Sequence, residues 1–536
     1  MKAERRATVA VMGFAALLAL TVGWQVFWFL CDDAFIAFRY VSNAQLGHGY
    51  VWNAPPFRPV EGYTSFLWVV ILDLVWRFTG TEPPDAANAI SLGLSWVSLG
   101  LVMALFRRLT LPESLEPARV PLLGLVLLGT VSNRTFLAWT SSGLETALWT
   151  CTLLAWTYVA LGLRGRPAWL VSLLAALMCL TRPDGLLFAA ATAAWIVWRA
   201  GVRREPARLL HLAPLGLVVA HVAWRYSFYG YLLPNTWYAK HIAAWPQMGW
   251  RYAAHFAIEY AYWVWAIAAV VAGVRWVAAL KPPRIDAVLM GVVTLAAHWA
   301  YYTLRVGGDH FEFRIYHHLV PLLMVSFPFL AARAGLAARG TIGAMVFMIA
   351  LGSVIPWTHW RHTHMVMGHK DPGSFKYPVA RHLPAPLSWY ANPWDSLHET
   401  LLSRFIAIRQ QGHRTYLNYQ RSRFPTREQG LSLDAGDDIA VYTHTSVGWP
   451  AWAMPEVALI DMYGLSDLVI ARSEPRTTDP YKRRMAHDRK PPPGYPACLR
   501  PNVKVSGSGE VTVNPRARPL TAADVIACES QFLGER

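Results

Sequence analysis

Apolar stretches of about 17 to 25 residues recur from residue 8 to residue 357 and then stop. Each is long enough to cross a hydrocarbon core ~30 Å thick. Only 15% of the 536 residues are charged, against about a quarter in soluble domains, so the chain is built for lipid. The net charge of +16 would point to nucleic acid in a soluble protein. Here Arg and Lys concentrate in short loops between apolar runs, which is how membrane topology is controlled. The first run, Ala7 to Leu30, is too long for a signal peptide and meets Cys31-Asp32-Asp33 with no small-residue cleavage site, so it reads as a retained anchor.

Loop charge resolves one ambiguous stretch. If Gly62 to Phe78 crossed the bilayer, every later loop would change sides and the basic run Arg199 to Arg208 would lie outside, against the positive-inside bias. Laid along the outer interface instead, as its Asp73, Arg77, Trp68 and Trp76 permit, it leaves eleven spans: 8–30, 86–106, 119–136, 143–163, 168–181, 185–199, 210–228, 255–278, 286–304, 317–332 and 340–357. With the N-terminus cytoplasmic, every inside loop is then basic: Arg107-Arg108, Arg164 and Arg166, Arg199 to Arg208, Lys281 and Arg284, Arg333 and Arg339. The expected fold is an α-helical polytopic membrane protein of about eleven spans. Residues 1–357 would form the membrane domain, with a first outer loop at 31–85, and residues 358–536 an extracytoplasmic α/β domain. In that tail, runs such as Asp438 to Tyr442 and Val457 to Asp461 read as buried strands, and Trp394 to Arg409 as helical. His359, His362 and His364 read as surface residues, and no zinc-type cluster appears.

The outer loops hold most of the membrane-proximal acids and histidines. Asp32 and Asp33, adjacent at the mouth of the membrane, are expensive there unless paired, hydrated or metal-bound. Neighbouring residues point in different directions, so one is expected to face a site and the other a structural partner such as Arg39; two solvated acids marking the interface is the competing reading. Cys498 and Cys528 are the only cysteines of the tail. In an oxidising compartment they are a disulfide candidate, with two unrelated thiols as the alternative.

Several strings carry a resemblance: DDAFIAFRY (32–40), GHGYVWN (47–53), VEGYTSFLW (60–68), SGLETAL (142–148), LTRPDG (180–185), LLPNTWYAK (232–240), VGGDHFEFR (306–314), LIDMYGLSD (459–467) and AHDRKPPPGY (486–495). In order along almost the whole chain, they resemble the GT-C superfamily of lipid-linked-sugar glycosyltransferases, and within it the family of the mycobacterial terminal β-arabinofuranosyltransferase. All but the last two fall on or beside the outer face. The resemblance implies a polyprenyl-phosphate-linked sugar donor, arabinofuranose being the family's own sugar, and a cell-envelope glycan or glycoprotein acceptor. It also implies a place in the bacterial inner membrane with the tail periplasmic.

Such transfer needs a base, donors for the leaving phosphate and a shaped sugar pocket. The resemblance gives the first-loop carboxylate the catalytic role, so Asp33 or Asp32 takes it, with Glu61 orienting the acceptor or assisting a metal unless it is a solvated loop acid. Lys240, His310, Arg314 and Arg182 are candidates for the donor phosphate; Arg182 with Asp184 reads equally as a structural ion pair. Asn235, Trp237, Tyr238, Asp309 and Tyr63 are assigned to the sugar or acceptor, although Trp and Tyr at an interface are commonly plain anchors. Gly307-Gly308 would let the backbone approach a ligand closely. The loop His487 to Lys490 followed by Pro491-Pro492-Pro493 reads as a lid, an acceptor-binding element or a solvated loop. No cofactor is assigned, and a divalent cation held by carboxylates stays open. A carrier or flippase of lipid-linked sugars is the alternative function; it should show internal repeats and broken helices near mid-membrane, whereas the polar strings here gather at one face.

Overall fold

The computed structural model describes residues 2–161, 168–278, 287–366, 376–433 and 436–534. Helices occupy each of the expected spanning segments: Lys2–Phe27, Pro83–Arg108, Arg119–Val131, Thr146–Leu161, Trp169–Thr181, Leu186–Arg203, Gly216–Tyr229, Trp263–Ala278, Ala287–Ala300, Leu319–Arg333 and Ala338–Thr363. Six helical stretches are long and apolar enough to cross a membrane outright, among them Pro83–Arg108 and Ala338–Thr363. The stretch Phe66–Thr79 is a separate helix of 14 residues. At 1.5 Å per residue it is about 21 Å long, too short to cross, and left-handed Gly80 ends it.

Two expectations need correction. The span expected at 255–278 is broken: Pro246–Glu259 and Trp263–Ala278 meet at 101°, with Ala261 in the left-handed region at φ 53°. The cause is polar. Glu259 is tied to Arg409 and Trp394, and Tyr260 OH accepts from the Thr135 amide at 3.0 Å, so this turn is anchored in protein and only the second helix continues as an apolar rod. His359 is not on the surface. The last apolar helix runs on to Thr363, and His359 on it is fully buried against Trp394 and His398.

The C-terminal part carries two small sheets. Strands Val441–His444 and Ala458–Asp461 run parallel, with Val441 opposite Ala458, and Val503–Val505 pairs antiparallel with Val511–Val513. Parallel strands need a crossover, and here it includes the short helix Gly448–Ala453. That helix packs on Asp32–Gln45, where Phe35 and Phe38 meet Trp452 edge to face. Helix Leu387–Leu402 packs on Pro246–Glu259. The tail is therefore seated on the outer end of the bundle through ordinary core contacts. A core of Val441, Ile460, Ile470, Leu499 and Val525 lies beside Cys498 and Cys528, which the structure pairs with Cα atoms 6.0 Å apart.

That pairing closes a loop between residues 30 positions apart, which the chain-entropy account values at about 3 to 4 kcal/mol. Cys498→Ser should lower the melting temperature of the purified protein by several degrees under non-reducing conditions. Two free thiols in the intact wild-type protein, counted by mass spectrometry without reductant, would contradict the pairing.

Candidate active site

The first outer segment begins the site. Residues 32 and 33 open the helix Asp32–Gln45, and successive helical positions differ by about 100°, so the two carboxylates diverge. Asp32 turns to the tail: its oxygens accept the Trp449 amide at 2.8 Å and the Gly448 amide at 3.2 Å, at the start of helix Gly448–Ala453. A Cβ on Gly448 would lie 1.8 Å from the Asp32 carbonyl oxygen, so the approach requires glycine. Burial pushes the Asp32 carboxyl up to about 7, against the pull of those amide bonds. Arg39 is not its partner. Arg39 spends its guanidinium on the carbonyls of Trp52, Ala451 and Val457 and on Asn53 Oδ1. Asp33 is half-exposed and, alone of the pair, makes no hydrogen bond or ion pair among the described residues.

Lys240 ends the short helix Asn235–Lys240 and faces the same recess. Its side chain keeps solvent-accessible surface, yet enough protein surrounds the ammonium for desolvation to lower its pKa, with nearby Asp33 acting against that shift. It too has no protein partner among the described residues. Arg314 lies within electrostatic reach of Lys240. It grips Asp309 through Nε and Nη2 at 2.8 and 3.2 Å and lies 4.3 Å over the Phe311 ring, which leaves Nη1 available. Asp309 is thereby an anchor for Arg314 rather than a free sugar ligand.

His310 stands between these groups. Its Nδ1 donates to the Phe405 carbonyl at 2.9 Å, and burial lowers its pKa against the pull of Asp33 and Asp309. The segment is pinned because the Ala407 and Ile408 amides donate to the carbonyls of Asp309 and His310 and the Glu312 amide returns to Ile408. Gly307 and Gly308, at φ 95° and 105°, serve protein packing rather than ligand approach. A Cβ there would lie 2.8 Å from Trp245 Cβ and 2.9 Å from the Tyr252 ring.

Arg182 belongs to a polar floor: it bonds Glu145 at 2.8 Å, Asp184 at 3.1 Å and Tyr302 OH at 2.8 Å, while Asp184 also takes His298 Nε2 at 2.8 Å. Its charge is committed to those acids, the ion-pair reading. Glu61 is buried and paired with Arg225 at 2.8 Å; burial pushes its carboxyl up to about 7 although Arg225 opposes this.

Four expected sugar ligands have other roles or places. Asn235 is buried, donating to the carbonyls of Gly464, Leu465 and Asp467 and accepting from Arg472, so it ties the membrane domain to the tail. Tyr63 is a core residue, its ring 4.7 Å from Tyr40 and its hydroxyl on Tyr229. Trp237 is exposed and stacked on His241, and Tyr238 lies under the Arg472 guanidinium at 4.1 Å.

Sequence reading assigned no role to Glu145, Tyr302 and Tyr463, and had His487 only within a loop read as a lid, an acceptor-binding element or a solvated loop. Glu145 and Tyr302 hold Arg182, and Tyr463 and His487 of the tail bring the last two motif strings to the recess. His487 lies 5.2 Å from His310 and 4.5 Å from Tyr463, ring to ring, and Arg489 beside it donates to the Tyr238 carbonyl at 2.7 Å. The strings LIDMYGLSD and AHDRKPPPGY themselves were the available signal. Among the described residues no three His, Cys, Asp or Glu side chains converge to hold a metal ion.

No protein-family model matches the chain. It is 30% identical over 347 residues to the terminal β-(1→2)-arabinofuranosyltransferase of Mycobacterium tuberculosis, covering 57% of this chain and 52% of that protein. It is 27% identical over 401 residues to the protein of the same name from Corynebacterium glutamicum, covering 66% and 55%. The chain thus spans about half the length of these curated relatives. The crystal structure of ArnT from Cupriavidus metallidurans bound to undecaprenyl phosphate shares the fold, with a TM-score of 0.51 at 12% identity over 84% of this chain and 85% of that one. The fold is of the GT-C type, and the similarity agrees with the resemblance carried by the motif strings.

The two carboxylates separate experimentally. Asp32→Ala removes both amide contacts at a helix start and should cost about 1 to 2 kcal/mol, read as a lower melting temperature. Asp33→Ala, with no partner to lose, should melt like the wild type. Equal destabilisation by both would overturn the division of roles.

Proposed function

We propose that the chain is a membrane glycosyltransferase that moves a sugar from a polyprenyl-phosphate donor to an envelope glycan or glycoprotein acceptor outside the cytoplasm. The observation that carries this reading is the recess itself. A carboxylate, Asp33, and an ammonium, Lys240, lie within electrostatic reach of each other, and neither has a hydrogen-bond or ion-pair partner among the described residues. The neighbouring candidate carboxylates are matched by cations or amides: Glu61 by Arg225, Asp309 by Arg314, Asp184 by Arg182, Asp32 by two amides. An unmatched pair of opposite sign is what a group transfer uses, since one end must take a proton while the other holds developing negative charge.

In the reaction the acceptor hydroxyl oxygen attacks the anomeric carbon of the donor sugar. The bond from that carbon to the phosphate oxygen breaks, and the phosphate leaves with the electron pair. Asp33 takes the hydroxyl proton. Lys240 and the available Nη1 of Arg314 hold the leaving phosphate, Arg314 being aimed by Asp309. Arg182 acts at one remove, as the centre of the polar floor. The similarity to proteins named arabinofuranosyltransferases supports arabinofuranose as the sugar. The broken pair Pro246–Glu259 and Trp263–Ala278 is the one feature that a carrier would share, but its bend is held by Glu259 in a buried ion pair with Arg409, so it offers no free polar site.

Asp33→Asn should reduce turnover by roughly 10²- to 10⁴-fold with expression and melting unchanged, read as release of polyprenyl phosphate from a panel of lipid-linked sugars. Lys240→Ala should weaken binding of polyprenyl phosphate instead. Full activity of both variants would remove the catalytic reading.

The basic character of the loops assigned to the inside supports an outer position for residues 358–536. A reporter that is active only after export, fused behind Arg536, should be active. A reporter active only in the cytoplasm working at that position would reverse the topology.

A further inference from the structure

We infer that the wall of the recess made by His310, Tyr463 and His487 is the acceptor-sugar subsite, with the Nε2 lone pair of His310 accepting the hydrogen of an acceptor-sugar hydroxyl next to the attacking one. This rests on the glycosyltransferase reading and deepens it. It departs from the assignment of His310 to the donor phosphate.

The tautomers decide the matter. A backbone carbonyl can only accept, so the hydrogen of His310 sits on Nδ1, which donates to Phe405 at 2.9 Å. His487 repeats the device, its Nδ1 donating to the Met485 carbonyl at 2.7 Å. Both rings are half-exposed, and neither Nε2 has a partner among the described residues. In the neutral ring Nε2 is an acceptor only. Neutrality follows from the surroundings. Burial lowers both pKa values, that of His487 to about 3; His310 depresses His487 further, and Lys240 depresses both. Asp33 and Asp309 pull His310 the other way, and His413 packs against it at 5.4 Å.

Two neighbouring lone pairs repel phosphate oxygens and attract hydroxyl hydrogens. Phosphate oxygens are acceptors and suit Lys240 and Arg314; sugar hydroxyls are donors and suit His310 and His487. The recess is thus divided into a donating side and an accepting side. Tyr463 contributes an aromatic face 4.5 Å from His487, with Arg476 5.0 Å over it. The subsite opens towards the tail, where a glycan acceptor outside the membrane would approach, while a lipid-linked donor comes from the bundle. Asp33, within electrostatic reach of His310, is the base that takes the proton of the neighbouring, attacking hydroxyl once the sugar is so oriented.

The full-length enzyme in detergent or nanodisc distinguishes the roles through His310→Gln and His310→Lys. Gln can present an oxygen near the Nε2 position, and Lys supplies a cation. Binding of polyprenyl phosphate should be within about two-fold of wild type in His310→Gln. The acceptor KM should stay near wild type in His310→Gln and rise at least 10-fold in His310→Lys. The wild-type acceptor-dependent kcat/KM should fall as pH drops through a value below the usual histidine pKa of about 6.5, because protonation removes the lone pair; His310→Gln should lose that limb. If His310→Lys instead preserves acceptor KM and donor binding while His310→Gln loses donor binding, His310 is a phosphate ligand and the inference fails. If the wild type transfers no sugar from any lipid-linked donor, the glycosyltransferase reading fails first.

Discussion

The structure depends on four charges that never meet water. Arg134 pairs with Glu312 at 2.8 Å, and Arg409 pairs with the same Glu312 at 2.8 Å and with Glu259 at 2.6 Å, all with fully buried side chains. Gln411 accepts from Arg134 and Trp394 donates to Glu259. Two positive and two negative groups cancel, and nearly every lone pair is used, which is the condition under which buried ions persist. Loss of any one would leave an uncompensated charge, at about 3 to 5 kcal/mol. The members come from four places: the first residue of Arg134–Ala138, the end of Pro246–Glu259, the loop at 312 and the residue capping the start of Gln410–Arg423. The network therefore locks the tail to the bundle at the place where the helix pair bends.

That lock sets the site. Glu312 is held from both sides, so the strand-like segment from Asp309 to Glu312 lies against residues 407–408, and His310 and Arg314 inherit their positions from it. The neutral network leaves no net charge to compete for a phosphate. The charge that remains uncancelled, Lys240 against Asp33, lies in the solvent-reached recess beyond it. Stability and reactivity are thus divided by solvation: matched ions in the dry interior, unmatched ones where water and substrate arrive.

Much of the membrane architecture was legible because its cause is local. Hydrophobic length and loop charge act within single segments, so the apolar helices and the short interface helix could be read directly. The bend at Tyr260 was not, since it depends on Arg409, 150 positions away. The same holds for site residues. Asp33, Lys240 and Arg314 were named because charge beside a span, within the motif strings, is informative before any partner is known. Asn235 looked equally polar and proved structural, its partners lying about 230 positions downstream, and Tyr63 vanished into the core. The distinction between a polar residue that binds a ligand and one that binds the protein is made by tertiary partners, which one sequence does not display.

On the proposed assignment the tail forms part of the wall of the site, which bears on how such a chain can change. Asp32 holds the start of Gly448–Ala453 while Asp33, one position on, faces the recess, so the placement of the base is coupled to the docking of the tail. Phe405 sets the His310 tautomer, and Tyr463 and His487 complete the accepting side. The phosphate side, by contrast, is built from Lys240 and Arg314 on the bundle. Substitutions in loops 459–467 and 486–495 would alter which acceptor fits without touching the groups that hold a lipid phosphate. One bundle could then serve several acceptors through its tail alone, provided the Asp32 contact and the buried four-charge lock stay intact.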